Sequence, residues 1–309
     1  MASNEIETLD SAASVEKLNK IAAGRALNRR HFLAALGMTG AAAGAGLMSG
    51  CNATTTSVLT TTASAAETNV LNFALNLEYL EATFYSYITQ GADLPTSLIA
   101  GSGSVTGTPS KLTFTGTNAQ QTTDLLNEIY FDEMNHVAFL RSLLGSSAVP
   151  RPAINLAAYG TVTATNALSV ARLFEDVGVT AYAAAVPLLS DSNITYASQI
   201  LGVESFHAGA LRLISIQNPT IAAYVKADSL DVAPFDNPAV IPPTGPTGNG
   251  AFFATYGSAA INTSAGMAYA RTTSQVLAIV YGAPGAGAAS GATSGGFFPS
   301  GANGSIKTV

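Results

Sequence analysis

The chain has 309 residues, 48% of them hydrophobic and 10% charged, with a net charge of −6 and a pI near 5.0. That length supports a sizeable core in one or two domains, and the acidic balance with scattered Lys and Arg excludes a basic surface for nucleic acid. A single cysteine, Cys51, excludes an intrachain disulfide framework and a multi-cysteine metal site.

The first element in the chain is a targeting segment. In NRRHFLAALGMTGAAAGAGLMSGC (28–51), Arg29 and Arg30 precede a Gly/Ala-rich apolar run, as in a twin-arginine export signal. The run from Ala34 to Met48 is too short and too rich in glycine for a membrane span. Two processing sites compete. LMSGC resembles a lipoprotein box and would place a lipid anchor on Cys51, whereas ASA (63–65) would release the protein after Ala65. The position of the chain's only cysteine favours the former. Either route places the mature protein outside the cytoplasm, in the periplasm or as a membrane-anchored lipoprotein. Residues 1–66 are therefore expected to be signal and Ser/Thr-rich linker.

Residues 67–217 carry four helical segments: A (68–90), B (120–145), C (165–190) and D (193–217), each with apolar residues at helical spacing. Between A and B lies a Gly/Ser/Thr-rich insertion (91–118) in which KLTFT reads as a short strand. Between B and C, a stretch with two prolines is long enough to cross a bundle from end to end. A tight SDSN turn joins C to D, with Asp191 or Ser192 as the cap. Residues 218–309 read as a mostly irregular C-terminal extension with one or two short helices, one expected over 264–282. The GGFFP of its tail is expected to dock on the domain, since two adjacent Phe are costly to leave in water.

Setting the core stripes side by side reveals a repeat. In B the stripe is Leu126, Ile129, Glu133, His136, Leu140, Leu143; in D it is Ala197, Ile200, Glu204, His207, Leu211, Ile214. The spacing is the same, and the polar pair falls at the same two places. In A the stripe is Leu71, Ala74, Glu78, Glu81, Tyr85, and in C it is Leu168, Ala171, Glu175, Gly178, Tyr182. The chain thus reads as two similar helix pairs forming one all-α four-helix bundle with a long B–C crossover. Residues three and four apart share a helix face, so four glutamates and two histidines converge at mid-bundle. Burying four carboxylates uncompensated is very costly. Two divalent cations would cancel their charge, and oxygen and imidazole ligands suit iron or manganese. Both histidines beyond the export segment lie in this set; the third is His31. The metal-free alternative is a bundle core held by polar networks.

DEMNH (132–136) is similar to the second-helix motif of bacterioferritins and rubrerythrins, and NLEYLEATFY (76–85) to their first helix. FEDVGVTAY (174–182) repeats the Glu-to-Tyr spacing, and VESFH (203–207) completes the set. The chain resembles the ferritin-like di-iron carboxylate superfamily, most of all exported ferritin-like domain proteins related to desiccation-associated proteins. That resemblance implies Glu78 and Glu175 as terminal ligands, Glu133 and Glu204 as bridges, and His136 and His207 on one metal each. Glu81 would be a further ligand, a supporting acid, or a partly exposed group near the site. Asp132 would hydrogen-bond a ligand histidine across the bundle. Tyr85 and Tyr182 would donate to ligand carboxylates, pass electrons, or simply fill the core. The implied cofactor is two iron ions, with manganese as the other option. The implied partners are O2 or peroxide and an unknown reductant, with no nucleic acid. A homo-oligomer fits the resemblance, but the insertion, extension and signal argue against a storage cage. The implied activity is ferroxidase, peroxidase-like or manganese-catalase-like. The alternative is a stress-protective structural or binding module whose metal only stabilises the bundle.

Overall fold

Ser64 opens the first long helix, α1 (Ala65–Gln90), by accepting the Glu67 N–H on its hydroxyl at 3.2 Å, satisfying one orphan donor of the helix N-terminus. Gly91 closes it at φ +72°, a left-handed geometry that costs glycine little. Three more long helices follow: α2 (Ala119–Leu144), α3 (Ala167–Ala185) and α4 (Asp191–Gln217). α1 packs chiefly on α2 and α3 on α4, and contacts of α1 with α3 and α2 with α4 close a four-helix bundle. The computed structural model describes residues 64–99, 101–217, 270–284 and 286–309. The Arg29–Arg30 motif and Cys51 lie outside the described residues.

The four helices are not equally buried. α2 buries one stripe, but α1 is buried on every side from Leu71 to Ser86. The sequence accounts for this, because α1 carries apolar residues on all its sides and, apart from the two glutamates Glu78 and Glu81 that face the bundle interior, its buried polar groups mostly hold covering loops. Asn72 donates to the Ser147 carbonyl and accepts the Val149 N–H, each at 2.9 Å. One turn on, Asn76 donates to the Asn303 carbonyl at 2.9 Å and accepts the Asn303 N–H at 2.8 Å. The crossover and the C-terminal tail are thereby clamped over α1 with their backbone groups satisfied.

The insertion is tied to the crossover as well. β1 (Val105–Thr106) pairs in parallel with β2 (Ile154–Asn155), Val105 opposite Ile154. Buried Arg151 of the crossover holds Asp93 of the insertion with a bond of 3.0 Å from Nη2. The tail follows a short helix, α5 (Thr273–Val280), which starts with a Thr272–Gln275 capping box. GGFFP docks as expected: Phe297 and Phe298 are fully buried, and Phe297 lies 4.8 Å from the Tyr159 ring and 4.9 Å from the Phe174 ring.

Several expectations need correcting. KLTFT is not a strand. Its Leu112 N–H instead donates to the Ile88 carbonyl at 2.8 Å, one of the carbonyls that the end of a helix leaves free. α3 stops at Ala185, not 190, and passes into a 3-10 turn containing Pro187, which cannot extend an α-helix. α4 begins at Asp191, so the capping position falls to Ser190, whose carbonyl accepts the Ile194 N–H at 2.8 Å. Ser190 is itself held through N–H and hydroxyl by buried Glu67, at 2.8 and 2.6 Å. Leu143, read as a core position, is 36% exposed, and Leu144 is the buried residue there. The last helix covers Thr273–Val280, not 264–282; 264–269 lie outside the described residues.

Candidate metal centre

The 3–4 spacing of each stripe turns its polar residues inward at one level of the bundle. Glu78, Glu133, Glu175, Glu204 and His207 are wholly buried, and His136 nearly so. α1 and α3 each contribute one glutamate to the centre itself, and α2 and α4 each contribute a Glu-x-x-His pair.

The histidines face the carboxylates through Nδ1. His136 Nδ1 lies 3.1 Å from Glu133 Oε2, 3.2 Å from Glu78 Oε2 and 3.5 Å from Glu204 Oε1. His207 Nδ1 lies 2.9 Å from Glu133 Oε1 and 3.1 Å from Glu175 Oε2. The first of these is short but off the direction of a hydrogen bond, leaving Glu133 Oε1 without one. Two sets of four result. Glu78, Glu133, His136 and Glu204 offer one donor atom each within 4.8 Å of one another, and so do Glu133, Glu175, Glu204 and His207. Glu133 and Glu204 belong to both sets.

Residues 66–217 match the family model of the ferritin-like domain. This segment is a ferritin-like domain. A comparison of the chain with curated proteins gives no match.

The remaining polar residues support the centre of this ferritin-like domain from outside. The tyrosine hydroxyls cross between the two helix pairs: Tyr85 on α1 donates to Glu175 on α3 at 2.6 Å, and Tyr182 on α3 donates to Glu78 on α1. The other His207 nitrogen, Nε2, is 3.3 Å from Asp132 Oδ2, the one partly exposed carboxylate at the site. That contact directs Nδ1 inward. Glu81 is buried, not partly exposed as one reading allowed, and it falls in neither set of four. Opposite it stands Gly178, where a Cβ would overlap Glu204 Oε2 and lie 3.0 Å from Glu204 Cδ and 3.4 Å from Glu81 Oε1.

Burial dominates the electrostatics. It pushes Glu78 up to about 7 despite the nearby His136. Burial also lifts Glu175, and lifts Glu81 and Glu204 well above the carboxylate range, the last two further raised by neighbouring carboxylates. Glu133 goes the other way: burial opposes its charge, but the two imidazoles flanking it hold its carboxyl below the usual value. Burial likewise opposes charge on both imidazoles, yet Glu133, Glu78, Glu175 and Asp132 raise them well above the ordinary histidine value. Without cations, protons hold the cluster together.

The donor set fits a metal. Both Glu204 oxygens are buried and accept no hydrogen bond, at the point where the two sets of four meet. An orphaned buried carboxylate is expensive, and a cation would relieve it. All the donors are carboxylate or imidazole, a choice that suits iron, manganese or zinc more than soft metals.

Sequence reasoning missed a buried charge cluster behind the centre. Arg172 and Arg212 both bond Asp176, the neighbour of Glu175, at 3.2 and 2.8 Å. Arg271, from beyond α4, bonds Thr180 Oγ1 on the next turn at 2.7 Å. A run of three buried polar residues on α3 off the stripe, Arg172, Asp176 and Thr180, was the available signal.

Proposed function

We propose that this ferritin-like domain holds two metal ions, iron first and manganese as the other option, and works as an oxidoreductase on O2 or peroxide. Glu78 and His136 would serve one ion, Glu175 and His207 the other, and Glu133 and Glu204 both. The observation that carries the reading is Glu204, whose two buried oxygens accept no hydrogen bond at the junction of two four-donor sets. Bound iron would supply one-electron redox chemistry toward O2 or peroxide, each two-electron reduction taking up two protons at the centre.

This chain's own residues define the surroundings of that chemistry. Tyr85 and Tyr182 tether Glu175 and Glu78 by hydrogen bonds, and so fix their orientation. Asp132 holds the His207 ring in register and is the carboxylate through which the interior meets solvent. Leu126, Ile129, Leu140 and Leu211, all fully buried or nearly so, keep bulk water from the layers above and below. A twin-arginine signal at Arg29–Arg30 and a lipid anchor on Cys51 would place this activity outside the cytoplasm, as in exported relatives of desiccation-associated proteins.

The test is metal analysis of protein loaded anaerobically with Fe(II) or Mn(II), followed by oxidant consumption. The expected result is two ions per chain, O2 or peroxide uptake, and loss of both in a Glu133→Ala/His207→Ala variant. Fewer than one ion per chain, unchanged in that variant, would overturn the site. Full loading with no oxidant consumption would assign the metal a purely structural role.

A further inference from the structure

A small cavity of about 10 Å³ lies between the four helices, one layer from the metal centre. Ala74, Leu140 and Ile200 on its wall stand one helical turn from Glu78, His136 and Glu204, about 6 Å along each helix. Tyr182, the donor to Glu78, lines it too. Leu143 and Tyr196, both more than a third exposed, mark its solvent side in the seam between α2 and α4. Phe139 packs edge-on against Tyr196 at 5.0 Å and narrows that mouth.

We propose that dioxygen binds in this cavity on its way to the centre, an inference that rests on the oxidant chemistry proposed above. The centre of a water-sized molecule has about 10 Å³ to move in, which leaves room for a slightly larger diatomic gas, and the wall presents only apolar atoms. Water or peroxide entering would give up hydrogen bonds with nothing in return, whereas dioxygen has none to lose. The placement leads to the Glu78–His136 side of the centre, since Ala74 and Leu140 precede and follow those residues on the same helix faces. The exposed Leu143 that interrupts the core stripe of α2 thereby acquires a place at the rim of the opening.

Xenon is the probe, because it reports an apolar gas site whether or not metal is bound. Crystals of the mature protein pressurised with xenon should show one atom against Ala74, Leu140 and Ile200. Ala197→Leu, which fills the cavity from α4, should remove the xenon. It should also slow O2-driven oxidation of the Fe(II)-loaded protein about tenfold, with peroxide-driven oxidation and iron stoichiometry unchanged. Ala74→Val is the smaller filler should Ala197→Leu not fold. A wild type that reacts with O2 but takes up no xenon refutes the route alone, as does a filled variant that has lost xenon and keeps its O2 rate. A wild type that binds xenon, holds iron and ignores O2 refutes both the route and the oxidase reading.

Discussion

Replacing Gly178 by alanine should separate helix stability from metal binding. At a solvent-facing helical position this change stabilises by about 1 kcal/mol. At Gly178 the new Cβ would overlap Glu204 Oε2 and crowd its Cδ at 3.0 Å and Glu81 Oε1 at 3.4 Å. Crowding of this kind in a packed interior costs about 1–3 kcal/mol, so the net effect on the metal-free protein is a loss of up to about 2 kcal/mol. In a domain of this size that lowers Tm by up to roughly 8 °C. The effect on metal is larger, because Glu204 serves both four-donor sets. Displacing its carboxylate should weaken binding by more than the roughly 10–100-fold that follows loss of a ligand's supporting partner. Gly202→Ala and Gly209→Ala are the controls: both lie in α4 with nothing within 4 Å of the added Cβ. Each should raise Tm slightly and leave metal binding alone. Calorimetric melts with and without chelator, together with isothermal titration of Fe(II) or Mn(II), read all three variants. Two ions bound to the Gly178→Ala protein with wild-type affinity would refute the close approach of Glu204 to α3.

Other outcomes follow from the same geometry. Metal must displace the protons that burial and mutual charge keep on the centre, so affinity should fall as pH drops from about 8 to about 6, and loading at neutral pH should release at least two protons per chain. Titrations in buffers of unequal ionisation enthalpy measure this, and release of fewer than one would contradict the raised imidazole values. In the metal-free protein, the Glu78 carboxyl raised from 4.5 to about 7 contributes stability below pH 4.5 that is lost as pH rises through about 7, so chelated protein should melt lower at pH 8 than at pH 6. Phe297→Ala removes a fully buried ring packed on Tyr159 and Phe174 and should cost about 3–5 kcal/mol by thermal or urea unfolding; a loss below about 1 kcal/mol would deny the tail its structural role. The mature N-terminus, read by mass spectrometry, should be a lipidated Cys51. Cleavage after Ala65 would cut inside the first turn of α1 and remove its Ser64 cap.

The centre was legible because its signal is local. A charged residue on an apolar stripe can be seen from seven neighbours, and two stripes of the same spacing with the same Glu and His positions, seventy-one residues apart, made chance a poor explanation. The same periodicity misjudged Leu143, since a stripe does not say where the packing partner ends or where the bundle opens to solvent. KLTFT failed for another reason: its strand-forming composition met a free helix carbonyl at Ile88 before any strand partner. Contacts such as Tyr85 to Glu175 or Glu67 to Ser190 join residues about a hundred positions apart. No local pattern encodes them, although the repeat itself hinted that the tyrosines would behave alike. Gly178 was visible only as a mismatch with Glu81; its meaning required knowing that Glu204 fills the space.

The crossed tyrosine bonds make the two helix pairs interdependent. Neither pair contains a complete four-donor set, and each terminal glutamate is held by a hydroxyl from the other pair. Two copies of α1–α2 alone would in principle rebuild the ligand set, but at the expense of two Glu81 side chains meeting where this chain has one. Two copies of α3–α4 would rebuild it with two glycines and an unfilled gap. The single chain avoids both extremes by carrying glutamate at 81 and glycine at the matching position 178, so that a nearly symmetric shell encloses an asymmetric interior: five inward carboxylates instead of four or six.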